Sequence, residues 1–361
     1  MSNRPKFLII YTGGTFGMEK TANGYVPRPG HLQEIVAESL DFSRTHDLPD
    51  FDIVDSEEII DSADISPSDW NKLAATIERS YDAYDGFLVI HGTDTMAYTA
   101  SALSFMLEGL SKPVLLTGSQ IPLQEFRNDA LGNLVTALEI LGAHHHKLSE
   151  VTIFFGSRLL RGNRAVKISA SEIEAFESPN YPALGRAAVD IELDLKQLYS
   201  PSWGPQEPLR LVRINPETTV SSCRLFPGIS ATVLEALLSD PADGLVLECY
   251  GAGNAPTRDP AFVEVLERAT ARGVVIVAVT QAQHGSAQLA RYLTGRRLLD
   301  AGVVSGYDMT TEAALAKLLY LFGKQLPVDE VRAQIANSLR GELTHHFLER
   351  PSWAARDRKE S

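Results

Sequence analysis

Apolar residues in this chain gather in short unbroken runs rather than in strict alternation. KFLIIYT (6–12) is the first, and GFLVIHGTDT (86–95), KPVLLTGSQ (112–120) and VTIFFGS (151–157) repeat its form, each closing in small, hydroxylic or amide side chains. Such runs are strands covered on both faces, as in a parallel sheet. Helical patterns lie between them. Ser66 reads as an N-cap, with Pro67 at the first helical position and Asp69 three residues after the cap. Beyond Met96, the residues Ala100, Leu103, Leu107 and Leu110 fall on one stripe at helical spacing, which predicts a helix through Leu110.

LYSPSWGPQEPLR (198–210) is rich in proline and turn formers and reads as a linker. The alternation then restarts. TTVSSCRLF (218–226), GLVLECYG (244–251) and VVIVAVT (274–280) are strands, with helices from about Ser230, near 260–271, near 311–323 and near 328–338. The expected fold is therefore α/β. A larger N-terminal domain (1–198), with a mostly parallel sheet flanked by helices, leads through a linker (199–217) to a smaller C-terminal α/β domain (218–343), and 344–361 reads as a frayed tail.

Composition narrows the class. The 361 residues are 44% apolar and 22% charged, and the net charge of −13 argues against a polyanionic partner. No stretch holds eighteen consecutive apolar residues, so no membrane span is expected. The N-terminal apolar run is too short for a secretory leader. Cys223 and Cys249 read as free buried thiols, and a chain of this size has no need of them as a staple. Together these features point to the cytoplasm.

In a parallel α/β sheet, ligands sit beyond the carboxyl ends of the strands. Those ends are Thr12-Gly13-Gly14-Thr15, His91-Gly92-Thr93-Asp94, Thr117-Gly118-Ser119-Gln120, Tyr250-Gly251 with Asn254 nearby, and Thr280-Gln281. Glycines admit a close approach and expose N–H donors, so this set suits a small polar ligand carrying carboxylate, amide and ammonium groups. Taken singly, each feature has a plainer explanation. Thr-Gly-Gly-Thr is a tight turn, neither a phosphate-binding loop nor a dinucleotide fingerprint. Asp94 or Thr95 could simply cap the helix near Met96. His144, His145 and His146 read as a solvated helix end rather than a metal site, as do His345 and His346 near the tail.

Taken together, the two glycine-threonine motifs resemble the bacterial-type L-asparaginases, and the cytoplasmic type I branch in particular. The chain carries YTGGTFGM at 11–18 and GFLVIHGTDTM at 86–96. The likeness extends through IIDSADISPSDW (59–70), PVLLTGSQIPL (113–123), RGNRAVK (161–167), YGAGNAP (250–256), YDMTTEAALAKL (307–318) and LRGEL (339–343), nearly the whole chain.

The resemblance implies hydrolysis of L-asparagine to L-aspartate and ammonia, with glutamine a poorer substrate and neither metal nor organic cofactor. It assigns the nucleophile to Thr15 on a lid loop, with Tyr25 close by. Gly17, Gly24, Pro27, Pro29 and Gly30 give residues 16–30 the composition of such a lid. A second set, Thr93, Asp94 and Lys167, forms a triad. A threonine hydroxyl is a weak nucleophile, and an amine lifted out of water beside it is able to take its proton. Asp61, Ser62, Thr93 and Asp94 would grip the substrate's charged ends, with carboxylate accepting ammonium. Asn254 would reach a neighbouring subunit's site, implying a homodimer or homotetramer.

Some positions depart from the pattern. Phe16 replaces a small β-branched residue after the nucleophile. Glu248 and Ala282 stand where some type I members carry an arginine and a cysteine for an asparagine effector. Two other functions fit the same scaffold. One is the amidase component of a tRNA-dependent amidotransferase, disfavoured by the acidic charge and by a first strand that begins near Lys6. The other is a non-catalytic amino-acid sensor.

Overall fold

The computed structural model describes residues 4–21, 24–28, 30–39, 48–199 and 207–344, without the side chains at 20, 21, 25, 27 and 39. The chain divides into two compact units, Met1–Pro216 and Glu217–Ser361.

The first unit is built on one eight-stranded sheet. Its strands are β1 (Lys6–Tyr11), β2 (Asp50–Asp55), β3 (Gly86–Ile90), β4 (Val114–Thr117), β5 (Val151–Phe155), β6 (Arg158–Arg161), β7 (Gly185–Ala187) and β8 (Ile191–Leu193). They lie in the order β8-β7-β6-β5-β4-β3-β1-β2. The pairs β1–β2, β1–β3, β3–β4 and β4–β5 are parallel, and the remaining three are antiparallel. The apolar runs are the central strands, and every residue of β3, β4 and β5 is buried. The edge strand β2, DFDIVD, escapes the sequence pattern because its aspartates break the apolar run.

Helices α1 (His31–Ser39) and α4 (Ala130–His144) share a core with Phe7, Ile9, Tyr11, Leu88 and Ile90. Helix α2 (Pro67–Ser80) begins as expected, with the Ser66 N–H and hydroxyl both donating to the Asp69 carboxylate. Helix α3 (Met96–Met106) stops short of the predicted Leu110. Leu107–Glu108 instead pair antiparallel with Arg210–Leu211, and Gly109 takes a positive φ of 75° that ends the helical path. The same pairing corrects the reading of 199–217 as linker throughout. Its described part is tied into the first unit, and the Asn71 side chain bonds the backbone N–H and carbonyl of Ile214.

The second unit carries a four-stranded parallel sheet in chain order, β9 (Val220–Arg224), β10 (Gly244–Cys249), β11 (Val275–Thr280) and β12 (Val304–Ser305). Around it run α5 (Ala231–Leu237), α6 (Pro260–Ala271), α7 (Leu293–Asp300), α8 (Thr311–Gly323) and α9 (Val328–Ile335). Asp259 caps α6 ahead of Pro260, and Thr310 caps α8 through the Ala313 N–H. Both cysteines are free and buried here, and burial pushes the Cys249 thiol up to about 12, far from a reactive thiolate.

No helix among the described residues is long and apolar enough to cross a membrane. No group of three metal-ligating side chains occurs among them either. His145 closes α4 with Nδ1 3.2 Å from the Leu141 carbonyl and its ring edge-on to Phe7, while His345, His346 and the tail lie outside the described residues.

Candidate active site

Strands β1 and β3 are neighbours, yet the helix after β1 packs on one face of the sheet and the helix after β3 on the other. A crevice opens outside the carboxyl ends of such a strand pair. The segments at that place are Thr12–Thr15 and His91–Asp94, the two motifs that stand out in the sequence.

Two glycines make the junction. Gly14 has φ +85°, and a Cβ added there would lie 2.3 Å from the Gly92 Cα. A Cβ on Gly92 would lie 2.5 Å from the Ser62 hydroxyl. The turns carrying Thr15 and Thr93 thus meet backbone to backbone, with the Ser62 side chain packed against Gly92. The three turns are also bonded to each other, since the Ile60 N–H donates to the Thr12 carbonyl and Thr95 Oγ1 donates to the Ser62 carbonyl at 2.6 Å. Thr95 is the N-cap residue of α3, but its hydroxyl makes no capping bond and serves this link instead.

Lys167 arrives from a distant part of the chain. It lies on a two-residue strand, Val166–Lys167, paired with Phe176–Glu177. The preceding turn is anchored by Arg161, whose Nε donates at 2.7 Å to the buried Glu150 carboxylate. Lys167 Nζ donates to Thr93 Oγ1 at 2.8 Å and to Asp94 Oδ1 at 2.5 Å. Thr93 Oγ1 in turn donates to Gln120 Oε1 at 3.2 Å, so the hydroxyl sits in a chain of amine, hydroxyl and amide. Asp94 therefore pairs with Lys167 and is not a helix cap.

The two family models that match are "Asparaginase, N-terminal" over residues 6–199 and "Glutaminase/Asparaginase C-terminal domain" over residues 219–335. The chain belongs to the asparaginase family. It is 45% identical over 336 residues to L-asparaginase 1 of Escherichia coli, spanning 93% of this chain and 97% of that one. The crystal structure of L-asparaginase I from Vibrio cholerae superimposes with a TM-score of 0.85 at 43% identity, covering 94% of this chain and 99% of the other. The thermostable L-asparaginase from Thermococcus kodakarensis superimposes with a TM-score of 0.82 at 35% identity, covering 94% of this chain and 99% of the other.

Within this asparaginase-family chain the other expected site residues fall as follows. Thr15 begins a 3-10 turn, Thr15–Gly17, and is partly exposed, while Phe16 beside it is buried in the core with Leu32 and Leu123. The large ring thus anchors the turn inward, and the Leu123 N–H donates to the Phe16 carbonyl. Tyr25 lies on Gly24–Pro27, antiparallel to Met18–Thr21, with its side chain outside the described residues. Asp61 is exposed and accepts from the Ala63 N–H at 3.0 Å, and Ser62 is buried against Gly92. Asn254 belongs to the second unit, where its side-chain carbonyl accepts from Thr294 Oγ1 at 2.7 Å.

Gln120 is absent from the residues that the sequence singles out for chemistry, although it stands in the strand-end set. Its signal is position alone, just past the end of a fully buried strand. Its backbone N–H and that of Ile121 both donate to Asp129, which fixes the amide beside Thr93.

The glycine contact gives a direct test. Alanine at Gly92 would drive a methyl group into Ser62 and Gly14, and overpacking of this kind costs about 1–3 kcal/mol. We expect Gly92→Ala to lower thermal stability modestly and activity severely. Near-wild-type ammonia release by that variant would show that the turns need not touch.

Proposed function

We propose that the protein is an L-asparaginase that releases L-aspartate and ammonia, with glutamine a poorer substrate. The observation that supports this best is the contact of Thr93, Lys167 and Asp94 beside the Gly14–Gly92 junction. Thr15 Oγ adds to the side-chain amide carbon, the C–N bond breaks, and the departing nitrogen takes a proton and leaves as ammonia. Water then cleaves the resulting ester, restoring the Thr15 hydroxyl and releasing the new carboxylate. Thr93 and Lys167 activate that water and relay protons across the 2.8 Å hydrogen bond that joins them. Tyr25 assists the nucleophile, and the lid around it excludes water.

Asp61 and Asp94 offer acceptors for the substrate ammonium, while Ser62 and the exposed N–H groups of the glycine turns suit its α-carboxylate. Asn254 completes the pocket of a neighbouring copy, in a homodimer or homotetramer working in the cytoplasm without a cofactor.

Steady-state ammonia release from L-asparagine tests the assignment. Wild type should release ammonia and Thr15→Ala should release essentially none while still binding asparagine. Binding without ammonia release by the wild type would instead make the protein an amino-acid sensor. Saturation should also be hyperbolic. The Glu248 carboxylate accepts from Ser222 Oγ and Arg224 Nη1, both at 3.3 Å, and as an acceptor it offers an effector carboxylate no donor where an arginine would offer several. A sigmoidal rate curve that becomes hyperbolic on substituting Glu248 would contradict this.

A further inference from the structure

Each of the three turns is preceded by a residue that faces inward. Thr12 leads into Gly13–Thr15, Ile60 into Asp61–Ser62, and His91 into Gly92–Asp94. All three line one pocket of about 30 Å³, which is also lined by Trp70, Leu73 and Thr99 of α2 and α3 and by the exposed Glu57, Glu58 and Lys72. Strand alternation explains the placement. Tyr11 and Ile90 face the core that contains α1 and α4, so Thr12 and His91 face the opposite side of the sheet.

His91 is fully buried. Its Nδ1 lies 2.7 Å from the carbonyl of Gly92, the residue that abuts Gly14. A carbonyl only accepts, so Nδ1 must carry the proton, and Nε2 is then a bare lone pair. That Nε2 is buried with no hydrogen-bond partner among the described residues. Burial also pushes the imidazole down to about 4, against the opposing pull of the Gly92 bond, so the ring is neutral at physiological pH. The bond from a side chain to the next carbonyl fixes the plane of the Gly92–Thr93 peptide. With that plane fixed, the direction in which Thr93 Oγ1 leaves the backbone toward Lys167 is set.

We propose that His91 is a positioning residue: as a neutral Nδ1–H imidazole it holds the Gly92 carbonyl and aims the Thr93 hydroxyl at Lys167, while its Nε2 accepts from a water-sized donor housed in the cavity beneath the three turns. The cavity has room for such a donor, since one water needs on the order of 10–15 Å³. Thr12 and Thr99 add polar groups to its wall. The proposal rests on Thr93 being a reacting group.

Two amide variants separate the nitrogens, because asparagine places an N–H where Nδ1 stood and glutamine places one where Nε2 stood. His91→Gln should lower kcat for asparagine on the order of 10²-fold with KM little changed, the penalty of a misaimed group, and His91→Asn should recover most of that loss. In ¹⁵N-histidine-labelled wild type, His91 Nδ1 should resonate as protonated and Nε2 as unprotonated and hydrogen-bonded. Equal losses in both variants, a rise in KM without a fall in kcat, or a proton on Nε2 would overturn the proposal. Should the wild type release no ammonia, the proposed activity falls by itself. The nitrogen assignment, with the Gly92–Thr93 peptide orientation in crystals of the two folded variants, then still decides the role of His91.

Discussion

Methionine in place of Lys167 is expected to lower kcat for asparagine by about 10²–10⁴-fold, the range of a lost proton-transfer partner, while leaving the fold intact. Methionine keeps most of the side chain's length and apolar stem and removes the amine that touches Thr93 Oγ1 and Asp94 Oδ1. The carboxylate left behind is not stranded, because the Asp94 side chain is 65% exposed and water can solvate it. The cost therefore falls on chemistry and not on stability. Steady-state ammonia release beside a thermal melt checks both halves. A variant that melts like the wild type and retains wild-type turnover would remove Lys167 from the mechanism.

The same substitution in the second unit should act in the opposite way. Lys317 and Glu342 are both 0% exposed and lie 2.6 Å apart. Lys317 also donates to the carbonyls of Ile335 and Asn337, and Glu342 accepts from the N–H groups of Leu339 and Arg340. Burial alone would raise the Glu342 carboxyl. The Lys317 charge and these donors outweigh it and hold the group below the usual carboxylate range. Removing one partner of a buried pair strands the other, at about 3–5 kcal/mol, so Lys317→Met should sharply lower the denaturant midpoint of the second unit. Adding Glu342→Gln should recover part of the loss. A midpoint unchanged in the single variant would mean that water reaches the carboxylate.

The two lysines show where sequence reading reaches its limit. Lys167 gains meaning only from the surrounding RGNRAVK, and Lys317, inside an apolar helix, carries no sign of its buried partner. Gln120 stands in the strand-end set, but nothing local says that its amide meets Thr93. Tyr11 and Thr12 are neighbours along the chain, yet one enters the core and the other the cavity beneath the site. The predicted helix through Leu110 fails on a local signal. Gly109 is a ready stop, but the helical stripe masks it, and the pairing of Leu107–Glu108 with the distant Arg210–Leu211 decides the outcome.

The apolar central strands, the cap at Ser66 and the glycine-threonine strand ends were legible in the chain alone, because these depend on neighbours within a few residues. Their alternation with helical patterns also pointed to the α/β class, whereas the family came from the resemblance of whole motifs to known proteins. It took the folded chain to show that β1 lies beside β3, that Gly14 meets Gly92, and that Gln120 joins the expected Lys167 at the Thr93 hydroxyl. Those facts come from strand order and close backbone packing, and contacts between distant segments leave no periodic trace along the chain.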